Sequence, residues 1–193
     1  MKYFLDTEFI ENGITIDLMS IGIVCEDGRT YYAQNHECKF DKASDWVWRN
    51  VFPSLNHFNM KGERGCKQVS EMGHAAPTGR CRDSLCSWRY HWEIRSEVRE
   101  FMDVERFGKP EVWGYYADYD WVVFCQLFGT MMELPKGFPM YCNDLKQLAM
   151  LYGNPKLPDF PGTNSHNALS DALEIKMRYE WLIKDYAASA TSS

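Results

Sequence analysis

Apolar residues open the chain in two runs of strand length, Tyr3 to Phe9 and Leu18 to Cys25. The turn signal Glu26-Asp27-Gly28-Arg29 then leads into a third run, Thr30 to Gln34. Three such runs joined by short connections predict an antiparallel meander. Further along, Trp88, His91, Trp92, Val98 and Phe101 recur at three- and four-residue spacings, which predicts an amphipathic helix over Ser87 to Met102 that crosses the sheet. The pattern then alternates. A short apolar strand is expected at Glu111 to Tyr115, a helix at Tyr119 to Phe128, a strand around Met140 to Cys142, and a helix starting near Asn143-Asp144. After a loop with Pro155, Pro158 and Pro161, a last helix is expected from Asn167 to Tyr186, with Leu169, Ala172, Leu173, Tyr179, Leu182 and Tyr186 on one face. Antiparallel strands followed by strand-helix alternation predict an α/β fold: a mixed sheet with helices on both faces.

One stretch breaks this rhythm. Residues Asn56 to Tyr90 lack a periodic apolar pattern, hold four of the thirteen glycines, and carry six Lys/Arg against three acids, while the remainder of the chain is acidic. This segment is expected to be an inserted loop or arm in a single domain spanning 1–193; its charge suits either a nucleic-acid strand or plain solvation.

Composition narrows the class. A chain of 193 residues with 45% hydrophobic and 15% aromatic residues has material for one domain with a sizeable core, which excludes a disordered tail or a fibre. No apolar stretch nears the roughly 18 residues a membrane helix needs, and Met1 to Ile10 carries acids where a secretory signal would be apolar. A cytoplasmic protein with no membrane association is expected. The seven cysteines are odd in number and scattered, which suits a reducing compartment, and Cys25 and Cys125 read as small buried hydrophobes. Cys66, His74, Cys81, Cys86 and His91 lack the Cys-x-x-Cys pairing of a zinc site, and none is assigned. The formal charge of -6 gives no general attraction for a polyanion, so any such partner needs a local device.

Three places carry chemistry. In Tyr3-Phe4-Leu5-Asp6-Thr7-Glu8-Phe9 two acids interrupt a strand that should be central. Strand alternation puts Asp6 and Glu8 on one face, close enough to ligate one cation, and hard oxygen donors suit Mg²⁺ or Mn²⁺. An acidic pair on the wet face of an edge strand would look the same. At Trp113-Gly114-Tyr115-Tyr116-Ala117-Asp118-Tyr119-Asp120-Trp121 a strand ends and a helix begins at an acid, where ligands gather in open sheets; helix capping by Asp118 or Asp120 is the plainer reading. In His166-Asn167-Ala168-Leu169-Ser170-Asp171-Ala172, Asp171 lies one turn into the last helix between small residues that allow close approach to the sheet, with His166 just before it. A capping-region histidine and a dipole-favoured acid would account for that motif alone.

In this order and at these distances, the three pieces resemble the DEDD superfamily of 3′–5′ exonucleases. A histidine five residues before the last aspartate is similar to its DEDDh branch. Tyr3 to Glu11, Ser20-Ile21-Gly22-Ile23-Val24, Cys125-Gln126-Leu127-Phe128-Gly129 and His166 to Ala172 further resemble the bacterial and phage group of polyadenylate-specific exoribonucleases of the AS type. The resemblance covers most of the chain except Asn56 to Tyr90. It implies an RNase H-like fold, with three antiparallel strands followed by parallel ones, and a two-metal mechanism. Asp6, Glu8 and Asp171 would hold one Mg²⁺, for which Mn²⁺ may substitute; Asp6 and Asp120 would hold the second, with Asp118 as the alternative to Asp120. His166 would be the general base, a role suited to its ordinary pKa of roughly 6.5. The implied substrate is single-stranded RNA with a free 3′ end, adenylate-rich in the AS group, and the products are nucleoside 5′-monophosphates; a homodimer is compatible with the same resemblance. Phe9 stands where many relatives have threonine. It is a candidate surface for the terminal base, with Met19 or Trp121 near it, although each also reads as ordinary core. A DNA exonuclease or proofreading module, and a non-catalytic nucleic-acid-binding domain, are the alternatives.

Overall fold

A computed structural model describes residues 1–55, 86–160 and 166–186. The three amino-terminal runs form the expected meander: β1 (Lys2–Glu11), β2 (Ile16–Cys25) and β3 (Thr30–Asn35), each antiparallel to the next. Two turns close it. The Asn12 carboxamide oxygen accepts from the Ile14 and Thr15 amides, and Gly28 takes the left-handed φ of 93° that the second turn needs. After the meander come α1 (Asp45–Asn50), β4 (Trp88–Arg89), α2 (His91–Phe101), α3 (Val104–Phe107), β5 (Glu111–Gly114), α4 (Asp118–Gln126), β6 (Asn143–Asp144), α5 (Leu145–Leu151) and α6 (Ala168–Glu180), whose end loosens into a wider π-type turn at Trp181–Tyr186.

The sheet runs β4-β3-β2-β1-β5-β6, with β5 parallel to β1, β6 parallel to β5 and β4 parallel to β3. This mixed α/β sheet, antiparallel and then parallel, is consistent with an RNase H-like fold. Three local expectations are corrected. Trp88 and Arg89, expected in a helix, extend the sheet beside Gln34 and Asn35, and the helix starts only at His91, where Glu93 accepts from the Tyr90 amide. Met140 and Tyr141 are exposed, and the last strand is Asn143–Asp144, where the backbone reaches β5. Leu173, expected inward, is exposed, and Ile175 takes its place in the core.

Strand alternation splits the core. Tyr3, Leu5, Ile21 and Ile23 face α2 and α4, meeting Ile94, Val98, Phe124 and Leu127. Phe4, Val24 and Trp113 face the other way, onto Leu145 and Ala149 of α5 and Ala172 and Ile175 of α6. A smaller cluster gathers Ile10, Met19, Cys38, Val51, Phe52 and Leu55 around the end of β1 and the segment after α1. Cys25 and Cys125 are buried as free thiols. No helix among the described residues is long and apolar enough to cross a membrane. The arm expected at 56–90 falls largely outside the described residues, as do Cys66, His74 and Cys81.

Candidate active site

The site is built where two acids interrupt the apolar positions of β1. Tyr3, Phe4 and Leu5 are buried on alternate faces, and the next two residues on the Phe4 side are Asp6 and Glu8. Immediately beyond Glu8 the β1–β2 pairing slips, so that Glu8 lies opposite Ser20 and Phe9 opposite Leu18. Such irregularities bend a strand and re-aim its side chains.

The third carboxylate arrives through a close helix-to-sheet approach. Gly22 is the partner of Asp6 across the sheet, and a Cβ there would collide with the backbone of Ala168 and Leu169. Absence of that atom lets the first turn of α6 lie directly on β2. Asn167 caps this turn, its side-chain oxygen accepting from the Ser170 amide at 3.1 Å, and Asp171 sits where the helix dipole favours an acid. One oxygen from each of Asp6, Glu8 and Asp171 then falls within 4.8 Å of the others.

Asp120 comes from the opposite layer, in the first turn of α4. It is 8% exposed, and its Oδ1 accepts from both the Thr7 amide, at 2.8 Å, and the Thr7 hydroxyl, at 2.6 Å. The neighbouring Asp118 is exposed, so the fold brings Asp120 rather than Asp118 toward the cluster. Behind it, Asp144 fixes the loop from β5 to α4: its carboxylate accepts from the Ala117 amide at 2.9 Å and from the Lys146 and Gln147 amides of α5.

Crowding of like charges sets the electrostatics. Burial, followed by repulsion from Asp120, Glu8 and Asp171, holds the Asp6 carboxyl well above the usual carboxylate range. Glu8 is pushed up to about 8 by burial and then by Asp171 and Asp120. Burial raises Asp171 to about 6, with the nearby His166 pulling the other way. Asp120 is raised by burial, against its Thr7 hydrogen bonds. A divalent cation removes this repulsion, and the all-oxygen donor set fits a hard ion such as Mg²⁺ or Mn²⁺.

His166 precedes α6 with a left-handed φ of 64°. Ser54 donates its hydroxyl to the His166 carbonyl, and the Asn167 side-chain Nδ2 donates to the Ser54 carbonyl at 3.1 Å. The imidazole meets the indole of Trp46 edge to face, with centroids 5.0 Å apart. Thr7, Ser54 and Trp46 are absent from the sequence-based candidates. Thr7 is legible only as the residue between two acids, and nothing local marks Trp46 or Ser54.

Two of the three stacking candidates belong to the core instead. Met19 is fully buried beside Ile10 and Val51, and Trp121 is 9% exposed and stacked on Phe124 at 5.0 Å. Phe9 keeps partial access and packs edge-on against Tyr119, which is itself 52% exposed.

Residues 1–181 match the family model described as the 3′–5′ exoribonuclease Rv2179c-like domain. The chain is similar to two curated proteins of Mycobacterium tuberculosis, the 3′–5′ exoribonuclease Rv2179c of strain H37Rv and the 3′–5′ exoribonuclease MT2234.1 of strain CDC 1551. Each is 36% identical over 179 residues, covering 93% of this chain and 91% of the relative.

Proposed function

The chain belongs to the family of Rv2179c-like 3′–5′ exoribonucleases, and from that premise we infer that it shortens single-stranded RNA from a free 3′ end by metal-dependent hydrolysis, releasing nucleoside 5′-monophosphates. The observation that carries this reading is the convergence of Asp6, Glu8 and Asp171 within 4.8 Å, beside His166. Three mutually repelling half-buried carboxylates are a poor way to stabilise a fold and a good way to hold a cation. With Asp120 from the second motif and His166 five residues before Asp171, the set supports a DEDDh-type site in the AS-like group.

Asp6, Glu8 and Asp171 would hold one divalent ion, and Asp6 with Asp120 a second. When bound, such ions offset the charge of the scissile phosphate and ease ionisation of the attacking water. His166 takes up the proton of that water, a transfer that contributes on the order of 10²- to 10⁴-fold in rate when the base is well placed. Thr7 restrains the Asp120 carboxylate through its Oδ1. The Phe9–Tyr119 pair supplies an apolar surface beside Glu8 and Asp120 on which a terminal base stacks.

Matched RNA and DNA oligomers, each with a free or a phosphate-blocked 3′ end, test this reading in the presence of Mg²⁺. Expected is stepwise loss of 5′-monophosphates from the unblocked RNA, its arrest by chelator, no hydrolysis by folded D6A, and a loss of about 10²- to 10⁴-fold in folded H166A. Wild-type activity in those variants, or cleavage indifferent to the 3′ block, contradicts the assignment; equal degradation of DNA contradicts the RNA preference.

A further inference from the structure

His166 lies outside α6, two positions before its first residue, and its backbone occupies a region that non-glycine residues seldom adopt. Such conformations persist where the surroundings over-determine them. Here the surroundings come from a part of the chain more than a hundred residues away. Ser54 holds the His166 carbonyl, Asn167 returns a hydrogen bond to the Ser54 carbonyl, and Trp46 meets the imidazole. The segment that carries Trp46 and Ser54 is anchored in turn. Ser44 caps α1 by accepting from the Val47 amide, Val51, Phe52 and Leu55 are buried with Ile10 and Met19, and Val47 packs against them. The support for His166 is therefore continuous with the end of β1, the strand that carries Asp6 and Glu8.

Trp46 is the one member of this support that touches the imidazole rather than the backbone. It is 56% exposed, so its place is not explained by burial, yet its ring plane stands at 84° to that of His166. Edge-to-face pairs hold a defined mutual orientation. We propose that Trp46 is a positioning residue for His166, confining the imidazole to the side of the Asp6–Glu8–Asp171 cluster. This rests on the reading of His166 as the general base. Because the indole acts through the base, its loss lowers turnover rather than substrate affinity.

W46A, W46F and H166A, assayed on a short oligoribonucleotide with Mg²⁺, test the inference, with circular dichroism as the folding control. Expected is a fall in kcat of up to about 100-fold for W46A at unchanged KM, and substantial rescue by W46F, whose ring can make the same edge contact. Wild-type kcat in W46A, a raised KM at unchanged kcat, or a W46F as impaired as W46A overturns it. In the metal-free protein the His166 ring-proton resonances, identified by their loss in H166A, should carry a ring-current shift that vanishes in W46L; unchanged resonances overturn the proposal even if W46A folds poorly. Full turnover by H166A overturns the base reading itself, whereas inactive H166A beside unimpaired W46A overturns this inference alone.

Discussion

The two halves of β1 share a strand and its pairing with β2, while β5 flanks only the first, and they are used in opposite ways. From Tyr3 to Leu5 every side chain is sealed in a core on one face or the other. From Asp6 to Glu8 the same alternation delivers two carboxylates to one face and a threonine to the other, where it grips a third carboxylate. The first half holds the sheet between its helices; the second half concentrates charge that opposes folding and that a bound cation would relieve. Stability and activity should thus separate along the six consecutive residues from Tyr3 to Glu8.

The sharpest test of that separation is H166A, for which activity should fall by about 10²- to 10⁴-fold while the melting temperature stays near that of the wild type. D6N and E8Q should likewise lose hydrolysis, yet in metal-free protein at pH 8 they should melt higher than the wild type, since each removes a buried charge that repels its neighbours. Lower melting in both would contradict the strain assigned to this half of the strand. L5A should do the converse, losing about 2–5 kcal/mol of stability by leaving a cavity, while the folded fraction retains turnover.

Gly22→Ala joins the two halves, because the added methyl meets the Ala168 backbone. It should cost roughly 1–3 kcal/mol through overpacking and also reduce activity by displacing Asp171. Loss of stability with activity intact would mean that the α6 approach does not set the carboxylate cluster.

Proton linkage gives a further test. Glu8 titrates near 8 in the folded chain against an ordinary 4.5, and Asp171 near 6 against 3.8. Between those values the folded state binds more protons than the unfolded state, so stability falls as pH rises. The window runs from about pH 4 to 6 for Asp171 and on to about pH 8 for Glu8. Metal-free protein should melt lower at pH 8 than at pH 5.5, and Mn²⁺ should recover most of the difference at pH 8 by binding only the folded state. A flat profile would count against the crowding of these groups. The smallest effect is expected for W121F. It removes a buried indole N–H that has no hydrogen-bond partner among the described residues, so stability should change by less than about 1.5 kcal/mol and turnover hardly at all. A marked fall in kcat/KM would restore Trp121 to the substrate surface.

Much of this site was legible before any fold was known. Asp6 and Glu8 share a face because strand alternation is local, whereas Asp171 with His166 reads alone as helix capping and stands out only through the resemblance carried by the three motifs together. Met19 and Trp121 were not separable from stacking surfaces, because an apolar residue near an acid looks the same in either role. The spacing of Trp88 and Arg89 with Trp92 is helical, and only their pairing with β3 decides otherwise.

The amino-acid sequence by itself determined the three antiparallel strands, the acidic pair on β1, the acids that open α4 and α6, and the mixed α/β class. These follow from periodicities and capping preferences that act over a few residues. Tertiary structure alone decided that Asp171 reaches Asp6 across Gly22, that Thr7 holds an aspartate 113 residues away, and that Trp46 meets the His166 imidazole. Those meetings depend on how helices seat on a twisted sheet, and close packing between remote segments leaves no short-range signature in the chain.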